Sequence, residues 1–187
     1  MAELRRDPAS GNWVVVGYET KDVPPGRGCP FCPGNEHMTP RAIREIKNTA
    51  GDWRLRVIPA INPVFVIEAQ ENKRAEGLYD KMGNVGAHEI IVEHRDHGKA
   101  LGTFSADELG LVLSQYMERI VDLKKDRRFR YVQVFRNQGE LSGSNINHPH
   151  GHVLATPIMP KRINLELANA KAHHIQKERC ILCDGIR

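Results

Sequence analysis

The 187-residue sequence has no apolar run approaching the roughly 18 residues that a membrane-spanning helix requires. Aromatic residues make up only 6% of it, too few to give a nucleic-acid binder its stacking platforms. Charge of one sign is also scarce. The 27 Lys and Arg stand against 23 Asp and Glu, which leaves +4 with histidine neutral. The densest basic run, Lys124-Lys125-Asp126-Arg127-Arg128, reads as a solvated helix end. Nothing here asks for nucleic acid or a membrane as partner, whereas a small anionic substrate suits the charge. No internal repeat or low-complexity tract is present. Residues 1–7 are charged and lead into Trp13-Val14-Val15-Val16 without the apolar core of a signal peptide, so the expected compartment is the cytoplasm. Cysteine is limited to four residues in two Cys-x-x-Cys pairs, Cys29/Cys32 and Cys180/Cys183. Without a secretion signal, such pairs favour metal or redox roles over disulfides.

What is present is an ordinary globular balance, 40% apolar and 27% charged, at a length that fits one domain with a short appendage. Strands are expected at 13–17, 53–58, 64–68, 88–93, 130–136 and 148–156. A short helix is expected at 41–47, and polar loops at 24–40, 71–86 and 137–147. Ser105 and Glu108 form a capping box. After it Leu109, Val112, Tyr116, Ile120 and Leu123 recur at helical spacing, which predicts a helix of roughly twenty residues. A second helix is expected over 164–177, ending at the second cysteine pair. The order points to an α+β fold, an antiparallel sheet with one long helix inserted between strands.

The sharpest chemical feature is His148-Pro149-His150-Gly151-His152. Histidines at i, i+2 and i+4 of a strand share one face, neighbours lying roughly 6.8 Å apart. Three imidazoles build a poor core. They can divide roles instead, one binding metal or orienting a neighbour, one attacking, one contacting a phosphate or leaving group. A histidine-rich surface strand without function, or a simple three-histidine metal site, is the alternative. Just upstream, Asn137, Gly139, Ser142, Gly143, Ser144 and Asn145 lie in a loop whose glycines permit close backbone approach and whose N–H groups can cradle an anion. Cys29-Pro30-Phe31-Cys32 supplies half of a tetrahedral zinc site, the other ligands coming from Cys180/Cys183 or from histidines.

Several stretches in order resemble the galactose-1-phosphate uridylyltransferases of the histidine-triad superfamily, specifically their N-terminal half. They are Arg6-Asp7-Pro8 with Gly11 and Trp13-Val14, then Cys29-Pro-Phe-Cys32-Pro-Gly34-Asn35-Glu36 with Thr39-Pro40. Val57-Ile58-Pro59 with Pro63 follows, then Gly86-Ala87-His88-Glu89-Ile-Ile-Val-Glu93 with Asp96-His97, and finally Asn137-x-Gly139 through Gly143 to His148-Pro-His150. The resemblance implies a histidine-triad-like nucleotidyltransferase domain over 1–177. Residues 178–187 are a tail similar to the start of a second half. It implies zinc held by Cys29, Cys32, His97 and His148, a covalent nucleophile at His150, and a phosphate-binding loop over 137–145. The implied partners are a nucleotide sugar and a sugar 1-phosphate, in a homodimer. The implied reaction passes through a nucleotidyl-histidine. The alternatives are a histidine-triad-like hydrolase or phosphorylase, or a non-catalytic nucleotide-binding fragment.

Three positions depart from the family pattern. Ala60 stands where Asn is usual, Asn145 where Ser is usual, and His152 where a Gln follows the nucleophile by two residues. An amide cannot act as acid or base, whereas an imidazole can give or accept a proton. His152 is therefore assigned a catalytic role, with the expectation that the intermediate is less protected from water than in a true uridylyltransferase. The family is also about twice as long, with a second half of similar fold.

Overall fold

The computed structural model describes residues 2–19 and 28–186, so the first part of the expected cysteine loop, 24–27, lies outside the described residues. The fold is α+β, with two antiparallel sheets. The larger consists of β3 (Arg44–Lys47), β4 (Trp53–Pro59), β7 (Ala87–Val92), β9 (His150–Thr156) and β8 (Tyr131–Phe135), in that spatial order. The smaller has the order β2-β1-β6-β5, from β1 (Glu3–Arg6), β2 (Trp13–Val16), β5 (Arg74–Glu76) and β6 (Tyr79–Gly83). The helices are α1 (Ala106–Leu123), α2 (Lys161–Lys177) and α3 (Ile181–Ile186). Among the described residues no helix is long and apolar enough to cross a membrane.

Both faces of the larger sheet are covered, and the period of two along each strand decides what faces where. Leu55, Val57, Ala87, Ile91, Val153 and Ala155 form one core with Val112 and Leu123 of α1. The alternate residues Ile58, Ile90 and Val92 join a second core built on Phe31 of the cysteine loop. A third cluster, Leu4, Phe65 and Met82 with Trp13 and Leu154, seats the smaller sheet. Fully buried aliphatic side chains such as Ile91 and Val153 each contribute about 1.5–3 kcal/mol.

The capping box forms as read. Ser105 Oγ accepts from the Glu108 amide at 3.2 Å, and Glu108 accepts from the Ser105 amide at 2.7 Å. Arg119 of α1 grips the buried Glu89 of β7 through two bonds of 2.7 and 2.8 Å. That pair locks helix to sheet. Its worth lies mostly in the about 3–5 kcal/mol that an unpaired buried carboxylate would cost.

Three expectations are corrected. Segment 41–47 is not a helix: its last residues form β3, paired to β4 around a turn in which Asn48 Oδ1 accepts from the Ala50 and Asp52 amides. Seven residues are too few for a helix to outweigh an available strand partner. Segment 64–68 is not a strand. It makes a single bridge, Val66 to Val85, and the Asn84 side chain takes the Val64 carbonyl at 3.0 Å. Loop 71–86 contains the β5–β6 hairpin, whose two-residue turn places Gly77 at φ +61°, a conformation that glycine tolerates. Its polar residues hid it, as they did β1. The second long helix, α2, starts at Lys161 and buries none of its residues. Glu178 follows in the left-handed region (φ +53°) before α3, which contains Cys183 and begins just after Cys180.

Candidate active site and metal group

The cysteine loop is tied by its own backbone. The Cys32 amide donates to the Cys29 carbonyl at 3.2 Å, the Asn35 amide to Cys32 at 3.1 Å, and Asn35 Nδ2 to Cys29 at 2.8 Å. Phe31, fully buried between the two cysteines, packs edge-on against His148 and His150 at centroid distances of 6.1 and 5.1 Å. The exit of β7 brings His97 to the same place, and the entry to β9 brings His148. The ligand atoms of Cys29, Cys32, His97 and His148 all lie within 4.8 Å of one another. Cys32 Sγ is 3.4 Å from His97 Nδ1 and 3.7 Å from His148 Nδ1. Ligands at about 2.3 Å (S) and 2.1 Å (N) around a tetrahedral centre stand about 3.6 Å apart, so the group can hold one metal ion. Burial, then the neighbouring Cys29, pushes the Cys32 thiol above its ordinary value. A cation would remove that penalty. Cys180 and Cys183 are not part of this group; both are exposed on the C-terminal segment.

Backbone carbonyls assign the protons of two histidines, because a carbonyl only accepts. His148 Nε2–H donates to the His94 carbonyl at 2.7 Å, which leaves the Nδ1 lone pair aimed at Cys32. His150 Nδ1–H donates to the His148 carbonyl at 2.7 Å, which leaves the lone pair on Nε2. Burial pushes His148 down to about 4 and lowers His150 as well, so both are neutral at pH 7. The expected common face is seen for His150 and His152, whose centroids are 5.1 Å apart. His148 precedes β9 and turns toward the cysteines.

Behind His150, on the α1 side, the buried Glu93 accepts from Tyr116 Oη at 2.8 Å and from Arg136 Nε at 2.8 Å. Gly151 lies against the Tyr116 hydroxyl with no room for a Cβ.

His150 and His152 line a cavity of about 290 Å3. Its apolar lining includes Phe31, Ala60, Ile61 and Ile90, and its polar lining Asn137, Ser144 and Asn145, with Gly143. Gly139 instead lines an adjoining polar cavity of about 240 Å3 that also meets Lys99, Arg136, His148 and His150. Ser142 lines neither; it is exposed, and its hydroxyl is spent on the Gly139 carbonyl at 2.7 Å. Of the positions expected to contact a ligand, only Ser142 is turned away. His88, Phe135, Glu93, Tyr116 and Arg136 join the site without being expected there. Phe135 stacks on His152 at 4.9 Å, and His88 Nε2 is 3.1 Å from His152 Nδ1. The alternation of His88-Glu-Ile-Ile-Val carried a signal for His88, since it shares the face of Ile90 and Val92.

Residues 9–160 match the family model described as galactose-1-phosphate uridyl transferase, N-terminal domain. The chain is 26% identical over 198 residues to an ADP-glucose phosphorylase of Arabidopsis thaliana, and 26% identical over 187 residues to a galactose-1-phosphate uridylyltransferase of Thermotoga maritima. Each alignment covers 98% of this chain and 56% of the relative. A solved uridylyltransferase superposes with a TM-score of 0.77 at 25% identity, over 97% of this chain and 54% of that one. The Arabidopsis ADP-glucose phosphorylase with bound ADP-glucose gives 0.75 at 26% identity, over 98% and 58%. The chain spans about half the length of the curated relatives it matches.

The Gly151–Tyr116 contact gives a direct test of the packing behind His150. Gly151→Ala should destabilise the fold by about 1–3 kcal/mol through overpacking. Adding Tyr116→Phe, which deletes the clashing hydroxyl, should recover part of that loss in urea unfolding. Strictly additive losses in the double variant would show that the two side chains do not compete for this space.

Proposed function

The chain belongs to the galactose-1-phosphate uridyl transferase family through that family's N-terminal domain, and on this premise we propose that it transfers a nucleotidyl group between sugar phosphates through a covalent nucleotidyl-histidine. The observation that carries this reading is His150, its Nδ1 proton held by the His148 carbonyl and its Nε2 lone pair free, on the wall of a cavity lined by both apolar and polar residues. In the first step Nε2 bonds to the α-phosphorus of a nucleotide sugar as the P–O bond to the sugar phosphate breaks, and the sugar phosphate leaves with that electron pair. In the second step an oxygen of the acceptor sugar 1-phosphate bonds to phosphorus and the N–P bond breaks. Asn137, Gly143, Ser144 and Asn145 are the phosphate donors in this scheme, His152 contacts the phosphoryl oxygens, and the apolar lining of Phe31, Ala60, Ile61 and Ile90 takes the nucleoside. The catalytic unit is 1–177, with 178–187 as an appendage. A second reading is phosphorolysis, with inorganic phosphate as acceptor; it is favoured by the similarity to the Arabidopsis ADP-glucose phosphorylase.

Incubation with UDP-glucose or ADP-glucose should raise the intact mass by one nucleotidyl group, and His150→Gly should abolish the increase without loss of fold. Labelling that survives His150→Gly would transfer the role to another histidine. Galactose 1-phosphate and inorganic phosphate, added separately, should discharge the label at rates that separate the two readings.

Zinc is our assignment for the metal, on the chemistry of two thiolates and two imidazoles with no position left open, which makes the site structural. When bound, the ion cross-links the cysteine loop to the strand that carries His150. Purified protein should contain about one equivalent of zinc, and Cys29→Ala should lose it and lower thermal stability. A content below about half an equivalent would refute the assignment.

A homodimer through α1 is also part of this reading. The outward side of α1 is apolar: Leu109, Leu113, Met117 and Val121 are 39–67% exposed. Antiparallel pairing of two such helices about a two-fold axis sets Leu109 against Val121 and Leu113 against Met117. It also brings the acidic first turn, Asp107, beside Lys124 and Lys125. Light scattering should give a dimer mass that Met117→Glu reduces to a monomer; a monomer before substitution would exclude this surface.

A further inference from the structure

His88 lies outside the metal group and outside the histidine motif, yet its contact with His152 decides which nitrogen of His152 carries the proton. In the β7–β9 register Ile90 pairs with His152 and His88 with Leu154, so His88 and His152 are diagonal neighbours on the cavity face. The Val64 amide points at His88 Nδ1 at 3.3 Å. An amide N–H only donates, so Nδ1 of His88 accepts, and a neutral His88 carries its proton on Nε2. That Nε2 lies 3.1 Å from His152 Nδ1, which must therefore accept in turn. The remaining proton of His152 sits on its own Nε2. Phe135, stacked on the His152 ring at 4.9 Å and 12°, fixes the plane in which that N–H points. Burial pushes His88 down to about 4 and, with help from His150 and then His88, His152 to about 3, so both rings are neutral at pH 7.

We infer that His88 is a positioning residue for the transfer reaction: by donating Nε2–H to Nδ1 of His152 it holds His152 as an Nε2–H donor toward the phosphoryl group and takes away the lone pair with which His152 would activate water. The inference rests on the reading of His150 as the nucleophile. It reverses the expectation drawn from the sequence. An imidazole in this tautomer offers what a side-chain amide offers, one N–H, so the nucleotidyl-histidine waits for a phosphorylated acceptor. The chain Val64 amide, His88, His152 is a relay of direction only, and no proton moves along it.

Two measurements test this. Long-range 1H–15N spectra of the full chain labelled with 15N-histidine, at pH 7 without ligand, should show His152 protonated at Nε2 and bare at Nδ1. His152→Gln serves to assign the signals. A proton on Nδ1 of His152 overturns the inference whatever the activity. The second measurement charges the protein with UDP-glucose or ADP-glucose and reads nucleoside monophosphate released without acceptor against transfer to galactose 1-phosphate. His88→Leu frees the His152 lone pair and should raise hydrolysis relative to transfer by at least about tenfold, below the full effect of a well-placed base. His88→Gln, whose amide nitrogen replaces Nε2, should keep the native ratio. An unchanged ratio in a folded, chargeable His88→Leu protein refutes the inference. Failure of the unsubstituted protein to become charged refutes the reading of His150 instead, and the spectra alone then decide the part played by His88.

Discussion

The antiparallel pairing of β9 on β7, with His150 opposite Val92 and His152 opposite Ile90, is the constraint on which the rest of the molecule depends. A strand has two faces, and a slip of one residue would exchange them. In the observed register His150 and His152 face the cavity, while Gly151, Val153 and Ala155 face α1. On β7 the same alternation sends His88, Ile90 and Val92 to the cavity side. Ala87, Glu89 and Ile91 go to the helix side, where Glu89 meets Arg119. The apolar core on one side thus sets the register, and the register sets the chemistry on the other. Arg119 and Glu89 reinforce the choice of faces, because turning β7 over would strand a buried carboxylate on the cavity side.

Within that frame the histidines are distinguished by what they can donate to. His148 and His150 give their protons to main-chain carbonyls, and His152 takes its orientation from another imidazole. Three chemically identical side chains on neighbouring positions thereby acquire three different free atoms, Nδ1, Nε2 and an N–H. Burial keeps them neutral, so the distinction holds at physiological pH. Phe31 joins the two halves of the arrangement, since it sits between the cysteines and rests on both His148 and His150. On the helix side the buried Glu93, held by Tyr116 and Arg136, donates its amide to the Pro149 carbonyl at 3.0 Å, between His148 and His150.

Much of this was legible in the letters. The capping box and the spacing of Val112, Tyr116 and Leu123 specify α1 locally. The histidine motif and the cysteine pair announce their chemistry by residue type alone. What was not legible depends on partners distant in sequence. Arg44 to Lys47 has the composition of a helix and becomes a strand because β4 is available to it. In the β5–β6 hairpin all of β5 is exposed and Met82 is the one buried residue of β6, so it lacks the alternation that marks a half-buried strand. Ser142 looks like a phosphate donor, but the 3₁₀ turn at Glu140–Ser142 spends its hydroxyl on Gly139. The pattern puts His88 on the face of Ile90 and Val92, but that its partner is His152 is not known until the register with β9 is.

The metal group and the histidine pair also say something about assembly. Cys32 and His148 are 116 positions apart, Cys32 and His97 are 65 apart, and His88 and His152 are 64 apart. Closing loops of that length costs chain entropy that no local contact returns. Such contacts weigh on the folding rate, since high contact order slows the search. The helix with its cap can be encoded in twenty residues; the site cannot. A peptide containing His148-Pro149-His150-Gly151-His152 has the spelling of the site and none of its geometry. An excision that takes out the cysteine loop, β7 or its exit at His97 removes the site altogether, however faithfully the motif itself is preserved.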